Sequence, residues 1–156
     1  MKEKDGCGPG APLHHVDPSS RSAGTVLVTE GALKAATAQR LLPDRYVVGN
    51  SGVATSHREI IETARGKALE IAFDNDSFTN PHVARALAAL LRSRSADQRS
   101  FAYDHAVTIL SWDRSVKGLD EALLSSRKLS SLTVAEWLND LTTECREQVN
   151  RQLSPL

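Results

Sequence analysis

The sequence alternates short apolar segments with segments rich in helix-forming residues, and this alternation constrains the fold more than any other feature. Four apolar segments have the length and β-branched content of buried strands. They span residues 25–29, 46–49, 68–73 and 106–112. Because strands and helices that alternate in this way build a parallel sheet covered by helices, the sequence predicts an α/β fold. We expect a mostly parallel four-stranded sheet with helices on both faces.

Local signals predict where the helices begin and end. Residues 32–42 are rich in helix formers and stop at Pro43. Three later helix starts carry a capping residue with a suitable first-turn partner: Ser56 with Glu59, Asn80 with Pro81, and Thr133 with Glu136. The helix that begins at Thr133 is predicted to run as one element past Val149 and to pack without contributing chemistry.

The chain of 156 residues is long enough for one domain of ordinary size. Residues 1–24 are rich in Gly, Pro and Ser and are predicted to be a flexible leader or linker. Residues 25–126 form the predicted α/β domain, and residues 127–156 form a C-terminal helix that packs on it or extends it. The adjacent His14 and His15 are interpreted as loop residues and not as a zinc site.

Composition limits the partners and the compartment. Lys and Arg number 19, as do Asp and Glu, so no overall positive field draws the chain to nucleic acid. Any nucleic acid must be held locally or by a partner. Cys7 and Cys145 have neither metal-ligand spacing nor a disulfide pattern, and no apolar run reaches the length of a membrane span. We therefore expect a cytoplasmic protein without membrane contact.

Acidic residues follow three of the four predicted strands. Glu30 follows the first, Asp74 and Asp76 follow the third, and Asp113 follows the fourth. Ligands of open α/β sheets bind at the carboxyl ends of the strands. Carboxylates gathered there raise one another's pKa unless a cation neutralises them, and hard divalent metals suit such clusters. The sequence therefore favours a Mg²⁺ site.

The Asp74-Asn75-Asp76 triplet has two interpretations. If the segment stays extended, both aspartates project the same way and offer two oxygen ligands to one ion. Alternatively, the triplet is a polar turn that caps the following helix. Its position at a strand end favours the metal site.

Two segments together resemble the signature of a known domain family. Val28-Thr29-Glu30-Gly31-Ala32-Leu33-Lys34-Ala35, followed by Phe73-Asp74-Asn75-Asp76, is similar to the Glu-Gly and Asp-x-Asp motifs of Toprim domains. With Trp112-Asp113 and Lys117-Gly118-Leu119-Asp120, the chain resembles a Toprim-like family of bacterial, plasmid and phage proteins often attached to primase or helicase parts. The resemblance covers about residues 25 to 125 and implies a Toprim-type, Rossmann-like fold.

The resemblance also implies residue roles. Glu30 would act as general acid or base, and Glu30, Asp74 and Asp76 would be catalytic residues that hold Mg²⁺, with Mn²⁺ as a substitute. Contacts to phosphate or nucleic acid would come from Gly31, Lys34, Lys117 and Asp120. Lys34 stands in the first turn of a helix, where the helix dipole does not favour a cation, so a phosphate or carboxylate partner would explain its position.

The expected function is Mg²⁺-dependent phosphodiester chemistry on DNA or RNA, by nucleotidyl transfer or cleavage, in a primase-like protein of replication or mobile elements. A helicase or primase domain is a possible partner. The alternative is a catalytically inactive module that binds nucleic acid or a replication partner. A phosphorelay receiver is disfavoured because it needs paired acids after the first strand. A haloacid-dehalogenase phosphatase is disfavoured because its Asp-x-Asp follows the first strand.

Overall fold

The computed structural model describes residues 12–153, which form a six-stranded mixed sheet with helices on both faces. The strands are β1 (His14–His15), β2 (Thr25–Glu30), β3 (Tyr46–Asn50), β4 (Ala68–Ala72), β5 (Val107–Ser111) and β6 (Ser130–Leu132). The helices are α1 (Ala32–Leu41), α2 (His57–Thr63), α3 (Pro81–Phe101), α4 (Leu119–Leu124), α5 (Val134–Asp140) and α6 (Thr143–Leu153). Short 3-10 helices span Pro18–Ser20 and Asn75–Phe78.

The strand order is β1-β3-β2-β4-β5-β6. The four central strands are parallel to their neighbours, whereas β1 and β6 pair antiparallel at the two edges. The predicted α/β class is confirmed, but the predicted number of four strands is too low. The two additional strands have only two and three residues, too few to show an apolar period.

Part of the predicted leader is attached to the sheet. Leu13 is buried, and its backbone N–H donates to Glu59 Oε1 at 3.2 Å. His15 belongs to β1, and its Nδ1 lies 2.6 Å from the Tyr46 hydroxyl. Residues 12–24 are therefore held by the domain. Residues 1–11, including Cys7, and residues 154–156 lie outside the described part of the chain.

Strand residues alternate between two apolar layers. Leu27 and Val47 face α1 and α4, where Ala35, Ala38, Leu119 and Ala122 complete one core. On the other face, the larger core gathers apolar side chains from α2, α3, α5 and α6 around Val26, Val28, Leu69 and Ile71. Helices therefore cover both faces, as predicted, and the ends of the central strands are held between them.

Two glycines shape the turn from β2 into α1. Gly31 has a φ of 84°, in the left-handed region that favours glycine. A Cβ atom on Gly49 would lie 2.8 Å from the Gly31 carbonyl oxygen and 3.0 Å from Ala35 Cβ. Because Gly49 has no side chain, β3 can pack directly against this turn and the start of α1.

The helix boundaries agree with prediction at some signals and differ at others. Asn80 caps α3 by accepting hydrogen bonds from the N–H groups of His82 and Val83, and the capping box of Thr133 and Glu136 is present. The capping box predicted at Ser56 is wrong, because Ser56 has a φ of 61° and its side chain makes no capping hydrogen bond.

The predicted single C-terminal helix is divided into α5 and α6. Leu141 is extended, with a ψ of 147°, and this conformation ends α5. Trp137 before the break and Cys145 and Val149 after it are buried in the same core.

Within residues 12–153, no helix combines the length and apolar character needed to cross a bilayer.

Candidate active site

The strand order places a crevice at the carboxyl ends of β2 and β4. The chain leaves β2 through α1 to reach β3 on one side, then returns through α2 to β4 on the other side. This reversal is a topological switch point, where α/β sheets bind ligands. Glu30 is the last residue of β2, and Asp74 follows the end of β4. Both predicted acids therefore stand at this crevice.

Glu30 and Asp74 are in direct contact. The Asp74 backbone N–H donates to Glu30 Oε1 at 3.2 Å. Burial raises the pKa of Glu30, and the neighbouring charges of Asp74 and Asp76 raise it further, although this hydrogen bond and Lys34 act in the opposite direction. Glu30 is therefore a carboxyl group with increased proton affinity at the mouth of the crevice.

Lys34 reaches Asp74 from α1. Its Nζ donates to Asp74 Oδ1 at 2.8 Å and to Oδ2 at 2.9 Å. The Asp74 side chain is only 7% exposed, whereas Lys34 is 28% exposed. Burial opposes the charge of Lys34, but the hydrogen bonds and charge of Asp74 outweigh it, so the pKa of Lys34 is raised. Lys34 therefore has the carboxylate partner that its helix position led us to expect.

The Asp74-Asn75-Asp76 segment is not extended. Residues Asn75–Phe78 form a 3-10 helix, so the prediction that the two aspartates project alike from an extended strand is wrong. Asp76 accepts through its backbone oxygen from the N–H groups of Thr79 and Asn80. Its Oδ1 is buried without a hydrogen-bond partner among the described residues.

Asn75, which is not a predicted site residue, fixes the loop that follows β5. Its Nδ2 donates to the carbonyl oxygens of Asp113 at 3.2 Å and Val116 at 2.6 Å. Its backbone N–H donates to the Lys117 carbonyl at 3.1 Å. These three bonds hold residues 113–117 against the turn that carries Asp74. The sequence shows only an amide between two acids, and the burial that gives Asn75 this role appears in the folded chain.

The same loop brings Asp120 to the acids. A Cβ atom on Gly118 would lie 2.8 Å from Asp120 Oδ1, 3.3 Å from Lys34 Cε and 3.4 Å from Asp74 Oδ1. Glycine at this position therefore leaves room for the three side chains. Like Asp76, Asp120 has a buried Oδ1 without a hydrogen-bond partner within residues 12–153.

Three further predicted positions, Asp113, Lys117 and Gly31, are exposed or already engaged in hydrogen bonds. Asp113 is exposed, and its carboxylate accepts from the Ser115 N–H at 2.9 Å and from Arg127 at 3.5 Å, which lowers its pKa. Asp113 therefore stabilises its own turn. Lys117 has an exposed side chain. The Gly31 N–H donates to the Asn50 carbonyl at 2.7 Å, so this amide is already engaged.

Asn50 is a second polar residue that was not predicted to contribute. It is fully buried at the end of β3 and stands in register with Glu30. Its Oδ1 has no hydrogen-bond partner in the described part of the chain. An unpaired buried carbonyl is costly, so its presence beside Glu30 marks this strand edge as a polar site.

The acidic side chains fit a divalent cation in their chemistry but, among the described residues, are not grouped as a complete site. Across residues 12–153, no three His, Cys, Asp or Glu side chains are already grouped as a metal site. The donor chemistry nevertheless suits a hard cation, since Asp76 and Asp120 each present a buried carboxylate oxygen that no group within residues 12–153 satisfies. Lys34 supplies a positive charge that contacts Asp74.

Comparisons with known proteins identify no relative of this chain. The chain matches no family model, and neither a curated protein nor a solved structure shows significant similarity to it.

Proposed function

We propose that this chain is a Toprim-type module that performs Mg²⁺-dependent phosphodiester chemistry on nucleic acid, by nucleotidyl transfer or cleavage. The observation that carries this proposal is the contact between Glu30 and Asp74 at the switch point of the sheet. The parallel order β3-β2-β4-β5 and helices on both faces support the Toprim-type assignment. A primase-like role in replication or in mobile elements is the preferred specific function.

Glu30, Asp74 and Asp76 have separate roles in the proposed chemistry. Glu30, whose pKa is raised by burial, serves as general acid or base. Glu30, Asp74 and Asp76 would hold Mg²⁺, or Mn²⁺ in its place. The metal would neutralise charge that develops on the reacting phosphate and would activate or release an oxygen.

Contacts to the nucleic acid come from the surrounding residues. Lys34 and Lys117 would contact phosphate oxygens, Gly31 lets the backbone approach closely, and Asp120 extends the acidic cluster. The chain as a whole has no net charge, so these local contacts or a helicase or primase partner must hold the DNA or RNA. The proposed location is the cytoplasm.

The proposal is tested with the double variant Asp74→Asn, Asp76→Asn. Primer synthesis on single-stranded templates, nicking of supercoiled plasmid and thermal stability are measured with Mg²⁺, Mn²⁺ or a chelator. The wild type should turn over with metal and gain thermal stability, whereas the variant should lose both responses. The double variant Asp140→Asn, Glu147→Gln removes the same charge from exposed positions and is the control. Equal responses to metal in wild type and acid-site variant would eliminate the metal site.

The alternative function is binding without catalysis, and one observation favours it. Lys34 already neutralises Asp74, and the described residues contain no preformed three-ligand metal group. Fluorescence anisotropy with labelled single-stranded DNA and RNA distinguishes the two functions. Saturable binding that needs no metal, with no turnover in either Mg²⁺ or Mn²⁺, would establish the binding module.

A further inference from the structure

A second polar site lies far from the acidic cluster. A cavity of about 500 Å³ opens where the second half of α3 meets the start of β5 and the helices α5 and α6. In the sheet, Val107 pairs with Leu69, which precedes Asp74 by five residues. At about 3.3 Å per residue, this cavity and the acids are separated by roughly 16 Å along the strands.

Three arginines line this cavity, and the described part of its lining contains no acidic residue. Arg92 donates to the Gln152 carbonyl at 2.9 Å, and Arg99 donates to the Ser95 hydroxyl at 3.0 Å. Arg94 donates to two backbone carbonyls, and its guanidinium lies over the Tyr103 ring, 4.8 Å from the ring centroid. Within residues 12–153, none of these arginines forms an ion pair, although arginines elsewhere in the molecule do. The described lining of the cavity therefore carries a net positive charge.

Arg94 places part of this positive charge in the interior of the protein. It is only 1% exposed, and its Nε has no hydrogen-bond partner among the described residues. Its other nitrogens donate to the carbonyls of Ala64, at 2.7 Å, and Lys67. Burial lowers the pKa of the guanidinium, with partial compensation from Tyr103 and Asp97. Burying a cation is costly, and no carboxylate within residues 12–153 forms an ion pair with Arg94, so an anion in the cavity would offset part of that cost.

The rest of the lining is aliphatic. Leu91, Val107, Val134 and Leu153 contribute apolar side chains, and Gln98 adds an amide. A volume of this size lies within the range of small-molecule sites, about 300–1,000 Å³. A free inorganic anion would use the arginines and leave the aliphatic wall in water. The lining therefore suits a ligand that combines an anionic group with an uncharged body.

We propose that this cavity binds a small organic phosphate of the nucleotide class. The phosphate lies on the exposed Arg92 and Arg99, whose guanidinium groups offer paired N–H donors, and the buried charge of Arg94 adds to the attraction. The uncharged part of the ligand lies against Leu91, Val107, Val134 and Leu153. The site is independent of the proposed phosphodiester chemistry, because it shares no residue with the acidic cluster.

The experiment measures binding of ATP and of pyrophosphate by isothermal titration calorimetry. A chelator is present, so that metal-dependent phosphate binding at the acids does not contribute. We expect saturable ATP binding to the wild-type chain, and weaker binding of pyrophosphate because it lacks the uncharged body. The exposed pair Arg92→Gln, Arg99→Gln should weaken ATP binding about tenfold or more. Arg94 is left intact because its bonds to Ala64 and Lys67 are structural.

Two controls separate this site from general electrostatic attraction and from the acids. The variant Arg40→Gln, Lys128→Gln removes the same charge from exposed positions outside the cavity and should bind ATP as the wild type does. The variant Asp74→Asn, Asp76→Asn should also bind ATP normally. No saturable binding, an equal loss in the charge control, or a loss in the acid-site variant would overturn the proposal. Pyrophosphate binding as tight as ATP binding would overturn the assignment to an organic ligand.

Discussion

The ammonium group of Lys34 neutralises the buried carboxylate of Asp74. It donates to both oxygens of Asp74 and is itself more exposed than its partner. A metal ion that approached Asp74 would meet this ammonium group, so lysine and metal compete for one carboxylate. At the scale of single residues, Lys34 therefore determines how much stability a bound metal ion can add at Asp74.

Replacing Lys34 with methionine should expose this competition. The change Lys34→Met leaves Asp74 buried without a counter-charge and should lower the free energy of unfolding by about 1–3 kcal/mol, discounted for the partial exposure of the lysine. Saturating Mg²⁺ should restore more stability to the variant than it adds to the wild type. Urea unfolding with and without Mg²⁺ measures both effects.

The control for this experiment is Lys117→Met. Lys117 has an exposed side chain in the neighbouring loop, so its loss should change the stability by no more than about 0.5 kcal/mol. If Mg²⁺ stabilised Lys34→Met no more than it stabilises the wild type, Lys34 and the metal would not share a binding position.

At this scale, the sequence predicted which acids approach one another but not what holds them. Glu30 and Asp74 could be predicted because both follow buried strands of a sheet that was expected to be mostly parallel. Asn75 and Asn50 could not, because their roles depend on loop carbonyls and on a strand register that only the folded chain defines.

Among elements, the packing of α1 on β3 controls the turn that carries Glu30. The variant Gly49→Ala would place a methyl group against the Gly31 carbonyl, 2.8 Å away, and Ala35. Since the backbone must shift to relieve this contact, we expect a loss of about 1–3 kcal/mol in the free energy of unfolding. Denaturant titration measures the loss.

The matched variant is Gly52→Ala, three residues along the same chain segment. A Cβ atom there meets only Thr55 Cγ2 at 3.8 Å, an ordinary contact. Its stability should therefore stay within about 0.5 kcal/mol of the wild type. Equal losses in the two variants would mean that glycine content, and not the close approach to α1, determines stability here.

The end of α2 is tied to α3 by Arg65 and Asp97. Arg65 donates to the Asp97 carboxylate at 2.6 and 3.0 Å, and the Tyr103 hydroxyl donates to it at 2.6 Å. The hydrogen bonds from Arg65, followed by that from Tyr103, lower the pKa of Asp97 below its ordinary value of 3.8. Burial and the same hydrogen bond raise the pKa of Tyr103 to about 12.

A lowered carboxyl pKa contributes stability that is fully present above the unfolded pKa and is lost as the pH falls through the folded pKa. Asp97→Asn should therefore be less stable than the wild type near neutral pH, and the difference should shrink below pH 3.8. Urea midpoints measured across this range, with exposed Asp140→Asn as control, test the link. A difference that did not depend on pH would show that the Asp97 charge is not responsible.

Elements were predictable in proportion to their length and burial. β2 and β4 are dominated by apolar residues, and the Asn80-Pro81 start of α3 is a strong local signal. β6 consists of Ser130–Leu132, has no strand composition, and exists because it pairs with β5. The division between α5 and α6 carries neither Pro nor Gly, so the sequence contained no stop signal there.

For the whole molecule, zero net charge conceals a segregated distribution. Asp74, Asp76 and Asp120 collect where the central strands end, whereas Arg92, Arg94 and Arg99 line a cavity beside the beginning of β5. A count of charges excluded an overall positive field but could not indicate this separation, because the arginines line one cavity only when α3 packs on the sheet. The two proposed sites can therefore be changed independently.

The N-terminal segment covers one edge of the whole sheet. β1 pairs with β3 at this edge, and β6 forms the opposite edge. Deleting residues 1–24 removes β1 and the buried Leu13, whose burial is worth about 1.5–3 kcal/mol, and uncovers the edge of β3 at Val48 and Gly49. We expect lower stability in urea and self-association by light scattering. Deleting only residues 1–11 keeps these contacts and should cause a smaller change. Equal behaviour of the long deletion and the full chain would return residues 12–24 to the role of a dispensable leader.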